Sequence, residues 1–236
     1  MLRFQDRQMP LDGLHAWFAL CLASVLSRNA HDCLELFDAS RLGMPVLVAG
    51  LAFAAWREPG DRRRSPVFHW SAVTSVGVFA AGLADAAGNH LGLVRAVLLL
   101  FGILLTRAGL DRSPVARPSH KWPTIDIGHW MAMLLAGALG TALGDAAAFR
   151  SGLQLGGAAT ALSVIAGLLM ALRTERWSKF PTPYWWLVVT IGAAGTTAGD
   201  YFARQIGLWQ STTVFAALLA AFLWWQPSRR GEPSQT

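Results

Sequence analysis

Four aspartates, Asp32, Asp85, Asp145 and Asp200, each stand fifteen positions after a tryptophan: Trp17, Trp70, Trp130 and Trp185. A carboxylate binds a cation or carries a proton, and four at one offset repeat a single job. Thr141 and Thr196 precede their aspartates by four positions, and with Thr197 they would add neutral oxygens to a cation site. The most metal-like stretch is His31-Asp32-Cys33-Leu34-Glu35, followed by Asp85 with Asn89 and His90. Imidazole and carboxylate suit zinc or manganese, so His31, Asp32, Glu35, Asp85 and His90 are the candidate metal ligands. Neighbouring residues on a helix point in different directions, so His31 and Asp32 need not reach one ion together.

Other chemistries compete for the same residues. Arg28 lies four before Asp32, Arg204 four after Asp200 and Arg150 five after Asp145. Side chains four apart meet on a helix, so the aspartates also suit ion pairs that only hold helices together. The Gly-Asp pairs within Leu143-Gly144-Asp145 and Ala198-Gly199-Asp200 resemble the Gly-Asp elements of intramembrane aspartyl proteases, in which two carboxylates share a proton. Duplication accounts for the motif without catalysis, and there is no P-loop, paired-cysteine motif or Gly-x-Ser-x-Gly elbow. The expectation is therefore no enzyme and no cofactor, with a divalent cation as substrate or ligand. Cys21 and Cys33 lie twelve apart on one helix and offer no disulfide.

The elements that position these groups follow from the spacing. A glycine stands seven beyond each of the last three aspartates (Gly92, Gly152, Gly207), while the first copy reaches Gly43 after eleven. Self-similarity at this period marks one supersecondary unit used repeatedly. Hydrophobic residues are 53% and charged residues 14%, which is a membrane composition. At about 20 residues per span, the chain holds about eight. The prediction is an all-α, polytopic bundle of eight transmembrane helices in four parallel two-helix repeats: 14–57, 69–107, 129–173 and 184–226. Spans are expected near His15–Phe37, Leu42–Trp56, Trp70–Asn89, Leu91–Thr106, Trp130–Phe149, Leu153–Leu172, Trp185–Ala203 and Leu208–Trp225, in one membrane domain with a disordered polar tail at 227–236.

Charge sets the orientation. Fifteen lysines and arginines fall on the side holding both termini and the inter-repeat loops, against five opposite, which places both termini in the cytoplasm. The net charge of +6 is spread through these loops, so nucleic acid is not an expected partner; the lipid bilayer is. Each tryptophan is read as an anchor at the cytoplasmic interface, and His15, His69 and His129 beside them likewise. Fifteen helical residues then carry each aspartate about 22 Å deeper, within the outer part of the membrane. A carboxylate there must face the bundle interior, a watery cavity or a partner. Eight before each aspartate stand Ser24, Gly77, Gly137 and Gly192, a small-residue stripe that brings the first helix of every repeat to the centre.

At Gly140-Thr-Ala-Leu-Gly-Asp145 with Gly152-Leu-Gln-Leu-Gly156, and at Gly195-Thr-Thr-Ala-Gly-Asp200 with Ile206-Gly-Leu208, the chain resembles a family of bacterial integral membrane proteins. That family has four tandem two-helix repeats of unknown function, each with a tryptophan and a Gly-Thr-x-x-Gly-Asp-like motif followed by Leu-Gly. The likeness runs from about Trp17 to Trp225. Copy two departs with Ala84 before its aspartate, and copy one with His31 there and Arg28 in the threonine position. The resemblance implies a multi-pass protein of the bacterial inner membrane and no particular activity.

Together these readings predict a transporter or channel for a small solute, a cation for preference, using the four aspartates. A non-transporting scaffold or sensor, with structural aspartate–arginine pairs, is the alternative.

Overall fold

The computed structural model describes residues 14–36, 66–110, 127–172 and 181–225. Seven helices account for them: α1 (Leu14–Leu36), α2 (Pro66–Leu91), α3 (Leu93–Leu110), α4 (Ile127–Arg150), α5 (Gln154–Ala171), α6 (Pro181–Ile206) and α7 (Leu208–Trp225). No strand occurs among the described residues. The expected span Leu42–Trp56, Gly43 and the polar tail lie outside them. Four stretches are long and apolar enough to cross a membrane: His69–Leu91, Gly128–Arg150, Gln154–Ala171 and Leu208–Trp225. Such a set marks a multi-pass membrane protein.

Three boundaries differ from the sequence reading. Pro66 and Pro181 open α2 and α6 instead of standing in the preceding loops. The first turn has no intrahelical use for an amide N–H, so proline fits there. The second hairpin turns at Gly92 and not at the break expected between Asn89 and Leu91, both of which are helical. Gly92, Gly152 and Gly207 have φ of +80°, +75° and +93°, the left-handed region that glycine enters without a Cβ clash. Gly92 N–H donates to Gly88 O at 2.9 Å, and its own carbonyl accepts from Ala96 N–H at 3.0 Å. One residue thus ends a helix and starts the next.

The first helices of the repeats form a closed ring in chain order, α1 to α2 to α4 to α6 and back to α1. Each second helix among the described residues lies outside it, in the groove between its own first helix and that of the next repeat: α3 against α2 and α4, α5 against α4 and α6, α7 against α6 and α1. Burial follows this layering. The candidate spans of α2 and α4 are 33% and 56% buried, those of α5 and α7 only 17% and 11%. Leu98, Val164 and Leu218 are exposed apolar side chains of the outer layer, as a lipid-facing surface requires.

Small residues set the ring's spacing. A Cβ on Gly140 would lie 2.7 Å from the Val189 carbonyl oxygen, and one on Gly144 2.8 Å from that of Ala193. Gly77 meets Ser27 between α1 and α2, Gly137 meets Ala80 between α2 and α4, and Gly195 meets Ser24 between α6 and α1. Every interface of the ring thus has a glycine at which an added Cβ would crowd the neighbouring helix.

The tryptophan end is closed by aromatic rings. Trp17, Trp70 and Trp185 are 4%, 1% and 6% exposed, so these three pack inside the bundle and do not anchor at a headgroup interface. His69 and His129 are buried with them; only His15 is exposed. Ring centroids lie 5.4 Å apart for Trp17 and Tyr184, 5.5 Å for His129 and Trp185, and 5.9 Å for His69 and Trp130. The anchor reading of these residues is corrected: helix association buries the face that carries them.

Candidate functional site

The opposite end of the ring is polar. Asp32 on α1, Asp85 on α2, Asp145 on α4 and Asp200 on α6 all line one cavity of about 420 Å³, with Arg28 among them. Four equal offsets on four helices packed side by side bring the carboxylates to one height. Asn89, Phe149 and Arg204, from the last turns of α2, α4 and α6, also line this cavity.

Arg28 is the hub. Its Nε donates to Asp200 Oδ1 at 2.9 Å and lies 3.3 Å from Asp32 Oδ1. Its Nη1 donates to Asp85 Oδ2 at 3.1 Å and Oδ1 at 3.4 Å. The side chains of Arg28, Asp32, Asp85 and Asp200 are 15%, 25%, 25% and 11% exposed, so water screens these pairs only in part. Three helices are tied through one guanidinium. Arg150 and Arg204 form no ion pair among the described residues, so of the three intrahelical pairs the sequence offers only Arg28 with Asp32 forms. Asp145 forms neither a hydrogen bond nor an ion pair with any described residue.

His31 is 3% exposed at its side chain and its Nε2 donates to Asp85 Oδ2 at 3.0 Å. A carboxylate acceptor places the ring proton on Nε2, and Nδ1 is buried without a hydrogen-bond partner among the described residues. Nε2 is also 3.5 Å from Glu35 Oε1, whose side chain is 55% exposed. His31, Asp32 and Glu35 each offer a ligand atom within 4.8 Å of the others, which fits a metal ion by separation. Coordination by Nε2 would require the loss of its proton and of the bond to Asp85. His90 is exposed at the end of α2 and belongs to no such group among the described residues.

The threonines lie elsewhere. Thr141, Thr196 and Thr197 are buried and absent from the cavity wall. Thr141 Oγ1 and Thr196 Oγ1 meet at 3.2 Å between α4 and α6, and Thr197 Oγ1 donates to the carbonyls of Ala193 and Ala194 at 3.1 Å. One turn below the aspartates the helices have already closed.

Two features escaped the sequence reading. Arg28 reads in the sequence as a partner of Asp32 and as the residue in the threonine position of copy one, but its bonds to Asp85 and Asp200 on other helices are not foreseen there. Asn29, fully buried, donates from Nδ2 to Ser211 Oγ at 2.7 Å and ties α1 to α7, with no signal in the local sequence.

The last hairpin, α6 turning at Gly207 into α7, displays the unit most fully: buried Trp185, Asp200 on the cavity and a left-handed glycine between the helices. Residues 183–231 match a family model described as a Repeat of Unknown Function (DUF347). The DUF347 segment takes in nearly all of this hairpin, and the other copies reproduce its tryptophan-to-aspartate offset. No curated protein and no solved structure matches the chain.

Proposed function

We propose that the chain is an integral membrane transporter or channel for a small solute, a cation for preference, with its site in the aspartate-lined cavity. One observation carries the reading: carboxylates from all four repeats face a single cavity of about 420 Å³ instead of four separate surroundings. Buried carboxylates at membrane depth are costly, and they persist where they serve an ion or substrate path. The full architecture is eight helices in four parallel hairpins, with both termini cytoplasmic, in the bacterial inner membrane. The charge asymmetry of the loops supports that orientation. A hydrolase role is disfavoured, because Asp200 accepts from Arg28 at 2.9 Å and forms no pair with Asp145.

The test is a cellular screen of cation accumulation and sensitivity in cells expressing the protein or its single Asp→Asn variants. Transport by the aspartates predicts a changed cation profile that Asp145→Asn and Asp32→Asn abolish. Unchanged activity in all four variants overturns it. The three-way tie at Arg28 favours a second reading, a non-transporting scaffold or sensor held together by aspartate–arginine pairs. On that reading Asp→Asn at positions 32, 85 and 200 lowers stability and alters no flux.

A further inference from the structure

The four carboxylates of the cavity are not equivalent, and their difference narrows the ligand. Three of them already hold a cation, since Arg28 donates to Asp85 and Asp200 and lies 3.3 Å from Asp32. A metal ion needs oxygens converging at about 2.0–2.6 Å, and here the oxygens that converge do so on a guanidinium. Asp145 alone of the four lining carboxylates has no hydrogen bond or ion pair among the described residues. It faces the same space as a second guanidinium, that of Arg204. With the other three carboxylates turned to Arg28, Asp145 is the one carboxylate of the wall left uncommitted among the described residues, which matches a single ammonium group.

Size and wall point the same way. A cavity of about 420 Å³ lies in the range of small-molecule sites, ~300–1,000 Å³, far above the space of a desolvated ion. Its wall is not only ionic: Leu93 and Phe149 supply apolar surface in the same cavity as Asp145. Such a wall rewards a ligand with a hydrocarbon part.

We propose that the cavity binds a small organic monocation, an amine with a short apolar body, its ammonium on Asp145 and its body against Leu93 and Phe149. Arg28 is the built-in cation that keeps divalent metals out. The proposal deepens the transport reading by naming the ligand class, but binding is measured apart from flux, so the two fail separately. Amine binding without any flux removes transport and leaves this proposal, whereas flux of a metal with no amine binding does the reverse.

The experiment is thermal unfolding of the full chain in detergent with n-butylammonium chloride, n-butanol or manganese chloride, for the protein and for Asp145→Asn. Asp145 holds no ion pair among the described residues, so the variant is expected to fold with a Tm within about 2 °C of the parent. Butylammonium at ten times its Kd should raise the parent Tm by about 3–6 °C. Butanol and manganese should not, and Asp145→Asn should lose the response. An unresponsive parent, an undiminished response in Asp145→Asn, or a larger shift with manganese overturns the proposal.

Discussion

Arg28 Nε donates to Asp200 Oδ1 across 2.9 Å, joining residues 172 apart in sequence and closing the ring of inner helices between α6 and α1. The same guanidinium reaches Asp85 on α2. A single side chain therefore organises the polar end of a bundle whose other end is held by aromatic packing.

Removing that guanidinium leaves partly buried carboxylates facing one another. Arg28→Gln is expected to lower stability by about 3 kcal/mol, at the low end for breaking a buried pair because the site is not fully dry. Thermal unfolding in detergent measures it. If Arg28→Gln unfolds no more easily than Asp145→Asn, the hub role is wrong. Arg28→Thr, which restores the residue found in copies three and four, should in addition gain stabilisation by manganese that the parent lacks.

Helix approach in the ring depends on missing side chains. Gly144→Val inserts atoms where a Cβ alone would lie 2.8 Å from the Ala193 carbonyl oxygen, and should cost about 1–3 kcal/mol. Gly167→Ala, on α5 with nothing within 4 Å of the added Cβ, should instead be neutral or stabilising by up to about 1 kcal/mol. Comparable losses from both would contradict a close α4–α6 contact at Gly144.

The hairpin glycines act through backbone conformation alone. A Cβ on Gly92 meets no atom within 4 Å, yet φ is +80°, so Gly92→Ala should cost about 1–2 kcal/mol by strain. Gly92→Asn, better tolerated in that region, should cost less. Equal unfolding temperatures for Gly92→Ala and the parent would contradict a left-handed turn.

Ser211→Ala strands the buried Asn29 amide, whose only hydrogen bond among the described residues is to Ser211 Oγ at 2.7 Å. The expected loss is about 1–3 kcal/mol. The double change with Asn29→Leu should recover part of it if an unsatisfied donor is the cause, and none if packing is.

The repeat was legible because duplication preserves spacing: the glycines seven after Asp85, Asp145 and Asp200 are the three left-handed turns, and the small-residue stripe marks the faces that meet in the ring. What the sequence could not show was partnership across helices. Arg28 pairs visibly only with Asp32, four residues on, whereas its bonds to Asp85 and Asp200 depend on the ring's closure. The threonines share the aspartate face by periodicity, but a turn deeper that face is shut by the contact of α4 with α6. The tryptophans suit an interface by residue type, and burial of Trp70 to 1% exposure follows only from the packing of all four inner helices.

The most direct measurement is charge movement in proteoliposomes on a supported membrane, recorded as a cation is rapidly added, with n-butylammonium and manganese tested in turn. The account predicts a current in the parent protein that Asp145→Asn abolishes. Currents of equal size in both proteins, or none in the folded parent with either cation, would contradict it.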